Sequence, residues 1–250
     1  MSPNAIEQTG LNNDNKKRIE NPPPRQQRAY RPAYEQAFFP IGLFISRFMS
    51  ANAVSYIGVL LSIISMILFY FSRNNNYIFI YLALFFMGLS SLADMIDGSV
   101  ARAELSKGKK IGKYGALLDP VMDRYAESFF LLGFLLSGYV PPEFVLFCFA
   151  GMIMASYVRA RAESLGPDAQ GNKLFISAGI ERKEKLIILS IGAIIEALLL
   201  QTNSTSLWPY FSYFSYQIGP IAISVVIAGI LSHIAAFQRL KLARKFLTDL

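Results

Sequence analysis

Six long apolar runs divide the chain, and polar or charged segments separate them. A helix needs about 20 predominantly apolar residues to cross the hydrocarbon core of a bilayer. Each run reaches or nearly reaches that length, so the pattern predicts an all-α integral membrane protein with six transmembrane helices. The runs lie at about residues 54–72, 77–98, 116–138, 142–158, 186–202 and 216–238.

Two segments precede the first apolar run. The stretch "YEQAFFPIGLFISRF" (residues 34–48) is short and mixes apolar with polar residues. It predicts an amphipathic helix that lies in the membrane interface. Residues 1–33 are polar, basic and proline-bearing, and they lack the apolar core of a signal peptide. We interpret them as a disordered cytosolic tail, which leaves residues 34–250 as one membrane domain.

The composition supports a membrane protein. The chain is 53% hydrophobic and 16% charged, and it carries a net charge of +7. A basic chain is compatible with nucleic acid, but the long apolar runs favour the bilayer surface as the partner of this charge. We therefore predict contact with lipid and none with nucleic acid. Cys148 is the single cysteine, which excludes an internal disulfide.

The distribution of basic residues gives an orientation. With six spans, 23 of the 24 lysines and arginines fall on one side of the membrane, and only Arg73 lies opposite. Lysine and arginine are enriched in cytoplasmic loops of membrane proteins. Both termini are thus predicted to be cytoplasmic, in a multi-pass protein of the plasma membrane.

Four aspartates lie where the second and third apolar runs approach each other. Asp94 and Asp97 are three residues apart, and Asp119 and Asp123 are four apart, so each pair shares a helix face. A carboxylate within a membrane helix costs about 2.5–3.5 kcal/mol on insertion scales, so a cluster of four needs compensating positive charge. Oxygen ligands in this number suit Mg²⁺ or Mn²⁺, as two ions. The alternative is that a carboxylate such as Asp123 pairs with an arginine of a neighbouring helix.

The aspartates also carry a resemblance. "DMIDGSVAR" followed by "GALLDPVMD" resembles the pattern D-x-x-D-G-x-x-A-R…G-x-x-x-D-x-x-x-D of the CDP-alcohol phosphotransferase family. Twelve residues separate Arg102 from Gly115, which is a longer gap than the family usually has. The resemblance implies that a lipid activated as its CDP ester is attacked by an acceptor hydroxyl and that CMP leaves. It also implies a homodimer.

The resemblance assigns roles residue by residue. It implies that Asp94, Asp97 and Asp119 are metal ligands, and that Asp123 binds metal and takes the proton of the acceptor. The stretch "MSANAVSYIG" resembles the segment that precedes the first span in the family, without its usual proline. The residues expected to bind the CDP-lipid are Asn52, Ala53, Val54, Ser55, Gly98, Ala101 and Arg102.

Two further stretches narrow the choice of acceptor substrate. "SYVRARAESLG" and "AGIERKEKLIIL" resemble the inositol-phosphate branch of the family, in which basic residues hold the acceptor's phosphate. The residues implied here are Arg159, Arg182, Lys185 and Arg239. Glycerol 3-phosphate and serine are alternative acceptors for the same reaction. A cation transporter is an alternative of another class, because intramembrane acids also mark ion paths, but it predicts acids spread through the depth of the bilayer.

The charge asymmetry makes a direct prediction about topology. A reporter fused after Leu250 should be active only if it functions in the cytoplasm, because the basic loops hold both ends of the chain on that side. The measurement is a pair of fusions with a cytoplasmic and an extracytoplasmic reporter. Activity of the extracytoplasmic reporter would contradict the six-span arrangement.

Overall fold

A computed structural model of the chain describes residues 31–108, 113–165, 179–203, 211–213 and 216–247. Residues 1–30, most of the predicted tail, and residues 109–112 of the longer loop lie outside the described part. The chain is predominantly helical. Its helices are α1 (Arg31–Ile45), α2 (Ala51–Phe71), α3 (Tyr77–Ser106), α4 (Lys113–Ser137), α5 (Pro142–Ser164), α6 (Arg182–Gln201) and α7 (Pro220–Leu247).

Local sequence explains where several helices begin. The first amide groups of a helix have no partner within the helix, so a side-chain acceptor just before it is stabilising. The Ser50 hydroxyl accepts from the Ala53 amide (3.3 Å) before α2. The Asn76 side chain accepts from the Ile78 amide (3.2 Å) before α3. Glu181 and Glu184 form a reciprocal capping box at the start of α6.

Four helices of the described part are long and apolar enough to cross a membrane: α2 with the 3₁₀ turn that follows it, α3, α5 and α7. The prediction of a helical, multi-pass membrane protein is therefore confirmed in this coarser form, and the number of six spans stays a prediction. The other two predicted spans correspond to α4 and α6. Both carry charged residues along their length, which lowers their mean hydropathy.

Two predicted boundaries and one predicted class differ from the structure. Helix α3 continues to Ser106, past the predicted end at residue 98, and stops only before Gly108, whose φ of 78° favours glycine. The last helix begins at Pro220, not at residue 216. The residues before it pair as two short antiparallel strands, β1 (Phe211–Tyr213) and β2 (Tyr216–Ile218), so the chain is not strictly all-α.

The helices pack so that four of them, α2, α3, α4 and α6, surround one site. Helix α2 packs against α3 and α4, α6 packs against α7 and α3, α5 packs against α7, and α1 lies on α3. Small residues allow the closest approaches, as is common between membrane helices. A Cβ at Gly192 of α6 would lie 2.3 Å from Ser224 Oγ of α7, and one at Gly42 of α1 would lie 2.5 Å from the Ser99 carbonyl carbon of α3. The approach of α6 brings its first turn to the polar ends of α3 and α4.

Candidate active site

Three of the four aspartates form one group. Asp94 on α3 and Asp119 and Asp123 on α4 each offer a carboxylate oxygen, and these atoms all lie within 4.8 Å of one another. The three-residue and four-residue spacings therefore bring the two helix faces together as expected. A group of carboxylate oxygens at this spacing is a donor set that hard divalent cations accept. These three residues could hold a metal ion.

Asp97 is held behind this group. Its side chain is buried, with 6% of the residue exposed, and the Ser55 hydroxyl donates a hydrogen bond of 2.6 Å to Asp97 Oδ2. A buried carboxylate is costly unless a donor satisfies it. Ser55 supplies that donor from α2, and the contact fixes the start of α2 against α3. A small cavity between these helices is lined by residues that include Ser55, Gly58, Ser90, Asp94, Asp97, Asp123 and Arg182.

Arg182, in the first turn of α6, reaches the aspartates. Its Nη1 atom lies 2.7 Å from Asp94 Oδ1 and 2.5 Å from Asp123 Oδ1. The family resemblance implied that Arg182 binds the acceptor's phosphate. The sequence analysis also gave an arginine of a neighbouring helix as an alternative partner of Asp123. The structure shows that this pairing is made by Arg182. A cationic group held between two carboxylates shows that this point favours positive charge, which is also what a metal site requires.

Glu127 is a buried acid that the sequence reading missed. It lies one turn after Asp123 on the same face of α4, and 3% of the residue is exposed. Its carboxylate pairs with Arg124 and lies 3.5 Å from Lys185 Nζ and 3.9 Å from Arg182 Nε. The signal was present in the sequence, because Asp119, Asp123 and Glu127 recur at every fourth residue of a predicted span.

The predicted acceptor residues are only partly brought together. Lys185 and Arg239 are buried, and Arg239 Nη1 donates to the Ala155 carbonyl oxygen (2.7 Å). Arg159 is exposed and pairs with Glu163 (3.0 Å), one turn further along α5. Arg124, which the sequence analysis did not select, lies with Lys185 around the Glu127 carboxylate.

The residues predicted to bind the CDP-lipid lie on two helices, at the start of α2 and in the second half of α3. Arg102 Nη2 donates to Ser99 Oγ (2.9 Å), and a Cβ at Gly98 would lie 3.7 Å from Arg102 Nη1, so the absence of a side chain leaves room there. Asn52, Ala53 and Ala101 are half-buried. Val54 differs, because its side chain packs in a core cluster with Ala93 and Val100. Its side chain therefore faces the core, and its amide donates to the Ser50 carbonyl oxygen (3.2 Å).

Comparison with known proteins decides the family. The family model described as CDP-alcohol phosphatidyltransferase matches residues 48–235, which include all four aspartates. The chain belongs to the CDP-alcohol phosphatidyltransferase family. It is accordingly a membrane-bound transferase of phospholipid synthesis, and the resemblance stated from the aspartate pattern is confirmed.

Several characterised proteins are similar to this phosphatidyltransferase. The archaetidylinositol phosphate synthase of Pyrococcus horikoshii is 27% identical over 217 residues, which cover 86% of this chain and 95% of that protein. The phosphatidylinositol phosphate synthase of Streptomyces avermitilis is 30% identical over 172 residues, which cover 64% of this chain and 65% of that protein.

A solved structure shares the fold. The Mycobacterium tuberculosis phosphatidylinositol phosphate synthase, crystallised with CDP-DAG bound, superposes with a TM-score of 0.60 at 23% identity. The match covers 84% of this chain and 94% of that one. At this identity the likeness supports the fold.

The contact between Ser55 and Asp97 generates a prediction. Ser55→Ala removes the hydroxyl that donates to a buried carboxylate, and a hydrogen bond to a charged group contributes about 1.5–3 kcal/mol. We expect the rate of CMP release from a CDP-activated lipid to fall about tenfold or more. Ser62→Ala is the matched control, because Ser62 is also buried on α2 but donates to Val59 O of its own helix. Equal rates for the two variants would show that the Ser55 contact does not support the site.

Proposed function

We propose that this protein transfers a lipid phosphate group from a CDP-activated lipid to inositol 1-phosphate and releases CMP. The observation that carries the proposal is the group of three carboxylates within 4.8 Å, set beside buried basic residues of α6 and α7. An acidic group beside a basic region suits a reaction between a pyrophosphate, which needs cations, and an acceptor that carries its own phosphate. The lipid is diacylglycerol or archaeol.

The relatives support both substrates. The similar proteins of Pyrococcus horikoshii and Streptomyces avermitilis are named for inositol phosphate products with archaetidyl and phosphatidyl groups, respectively. The structural neighbour was crystallised with CDP-DAG. Glycerol 3-phosphate and serine remain the alternative acceptors, which the assay below compares directly.

The four aspartates would hold Mg²⁺ or Mn²⁺, as a pair of ions. Three of them already place oxygens within 4.8 Å of one another, and Asp97 lies one helical turn from Asp94. When bound, the metal would neutralise charge on the pyrophosphate and stabilise the departing CMP phosphate. Arg182 now contacts two of these carboxylates and would contribute positive charge at the edge of the same site.

The chain's own residues perform the remaining steps. Asp123 accepts the proton of the acceptor hydroxyl as that oxygen attacks the phosphorus that bears the lipid alcohol. The bond from this phosphorus to the bridging oxygen of CMP breaks, and CMP departs with that oxygen. Arg102, oriented by Ser99, holds the CDP phosphates beside Gly98. The side chains of Asn52, Ala53 and Ala101, which are half-buried, complete the nucleotide side.

The acceptor's phosphate is bound by Arg159, Lys185 and Arg239, with Arg182 between them and the base. Lys185 and Arg239 come from different helices and are both buried, so they form a fixed part of the pocket. Arg159 is exposed and close to Arg239, so it is placed to close on the phosphate from the open side. Burial strengthens the attraction between these cations and an anion, because water screens it less.

The membrane arrangement follows from the same charges. We propose that α4 and α6 span the membrane, because their charged residues pair with each other across the site instead of facing lipid. Helix α1 lies in the interface with exposed Ile41 and Phe44 towards the lipid. This gives six spans and a tail at residues 1–33. Both termini are cytoplasmic, and the protein is a homodimer of the plasma membrane.

Removal of the base tests the mechanism. Asp123→Asn should lower turnover about 100-fold or more, because a general base contributes that much, while binding of the CDP-lipid is partly kept. A chelator should abolish the activity of the unmodified protein. The measurements are CMP release and CDP-lipid binding, with Glu143→Gln, an exposed acid on α5, as the control. Full activity in a chelated, metal-free sample would exclude the proposed mechanism.

A panel of acceptors tests the substrate. The protein should use inositol 1-phosphate better than free inositol, glycerol 3-phosphate or serine, as measured by CMP release and the mass of the lipid product. Arg239→Ala should raise the KM for inositol 1-phosphate about ten- to a hundredfold, since each charge-assisted contact is worth about 1.5–3 kcal/mol.

The KM for the CDP-lipid reports whether that variant is intact, and it should stay near its original value. Lys241→Ala removes an exposed base of the same helix and should leave both constants unchanged. A preference of the unmodified protein for any of the other three acceptors would show that inositol phosphate is not the substrate.

A further inference from the structure

Glu127 is a buried acid surrounded by three cations. Arg124 contacts its carboxylate from the preceding turn of α4, and two residues of α6 contact it from the other side. The Glu127 and Lys185 side chains are 3% and 5% exposed, so this group is nearly closed to solvent. The mechanism above gives Glu127 no role.

The three cations around Glu127 are not equally paired. Arg182 also contacts Asp94 and Asp123, whereas Glu127 is the one acid that pairs with Arg124 or Lys185 among the described residues. Both Glu127 oxygens are held by ion pairs without a hydrogen bond of ordinary geometry in that part of the chain. Burial of an ion pair costs several kcal/mol of desolvation and is weak as a source of stability. Arg124 and Lys185 share one carboxylate, and the positive charge left over is what an anionic ligand would complete.

Glu127 also connects the two halves of the site. Arg182 contacts Glu127 through Nε and contacts Asp94 and Asp123 through Nη1. Lys185, one turn further along α6, contacts the same carboxylate oxygen, Glu127 Oε1. A continuous set of ion pairs thus runs from Asp123 through Arg182 and Glu127 to Lys185. Its two ends are the proposed base and the proposed acceptor pocket.

We propose that Glu127 is a positioning residue for the acceptor's phosphate. It holds Lys185 and Arg182 at fixed places on α6, so that a phosphate bound by Lys185 sets the acceptor's hydroxyl at Asp123. This inference rests on the function proposed above and extends it, because it assigns the acceptor's orientation to an acid that does not itself touch the acceptor.

Two effects of removing the Glu127 charge oppose each other. A neutral residue would no longer repel the phosphate, which favours binding. Lys185 would lose the one anionic partner that the described part of the chain gives it, and it would then face Arg124 and Arg182 without the carboxylate that all three contact. The repulsion between these cations exceeds the gain from removing the repulsion between Glu127 and the more distant phosphate. At least one cation therefore moves out of place. We therefore expect weaker binding of the acceptor.

The test compares Glu127→Gln, which keeps the shape and removes the charge, with Glu127→Asp, which keeps the charge. Glu127→Gln should raise the KM for inositol 1-phosphate about tenfold and leave the KM for the CDP-lipid unchanged. Glu127→Asp should give a KM for inositol 1-phosphate between those of Glu127→Gln and the unmodified protein. Glu196→Gln is the matched control, because Glu196 is an equally buried acid on α6 that contacts the start of α7 (Ile221 N, 3.4 Å).

A double-mutant cycle separates positioning from a general loss of structure. In a Lys185→Gln background, Glu127→Gln should have little further effect on the acceptor's KM, because its effect acts through Lys185. In an Arg239→Ala background, the two effects should add. Thermal stability is measured for every variant, so that a loss of folded protein is recognised.

Three results would overturn the proposal. They are a lower KM for the acceptor in Glu127→Gln, additive effects of Glu127→Gln and Lys185→Gln, or equal changes in both KM values together with a lower Tm. If the unmodified protein uses glycerol 3-phosphate and not inositol 1-phosphate, the proposed function is wrong and the same cycle is measured with glycerol 3-phosphate. Use of serine alone would reject both proposals.

Discussion

The site depends on the cost of placing carboxylates among apolar helices. Asp94, Asp97, Asp123 and Glu127 lie where water is partly or wholly excluded, and each needs a cation or a hydrogen-bond donor close by, whereas Asp119 is exposed at the edge of the same group. Arg182 supplies one cation, and Lys185 and Arg124 supply two others. Three features of α6 position these cations. Helix α6 approaches α7 closely at Gly192, a capping box fixes its start, and its basic residues lie in its first turn. The fold positions the first turn of α6 against α3 and α4.

The same constraint separates a substrate site from an ion path. The acids named here lie in the second half of α3 and between Lys113 and Glu127 of α4, next to the first turn of α6. A transported cation would need partners at several depths of the bilayer. A cluster at one level, with arginines and lysines on one side of it, instead suits a reaction between two phosphate-bearing molecules. The family to which the chain belongs carries out such a reaction.

Much of this arrangement could be predicted from the sequence. The apolar runs predicted the helices. The spacing of the aspartates predicted which of them share a helix face, because helix geometry alone determines that. The direction of Arg182 could not be predicted, since an arginine near a helix start reaches equally well towards a phosphate or a carboxylate. Val54 faces the core because of how α2 is rotated against α3, which the sequence does not specify.

The pairing between α4 and α6 has a consequence for how the protein is made. Asp123 and Glu127 leave the ribosome as part of α4, whereas Arg182 and Lys185 follow only after the whole of α5. During that interval Asp123 lacks its Arg182 partner, and Glu127 has only Arg124 of its own helix, so insertion of α4 into lipid by itself is unfavourable. We expect α4 to remain beside the insertion machinery, or in contact with water, until α6 arrives. In the proposed six-span arrangement, the two helices would then enter the bilayer together, and formation of the site and integration of the protein would be a single event.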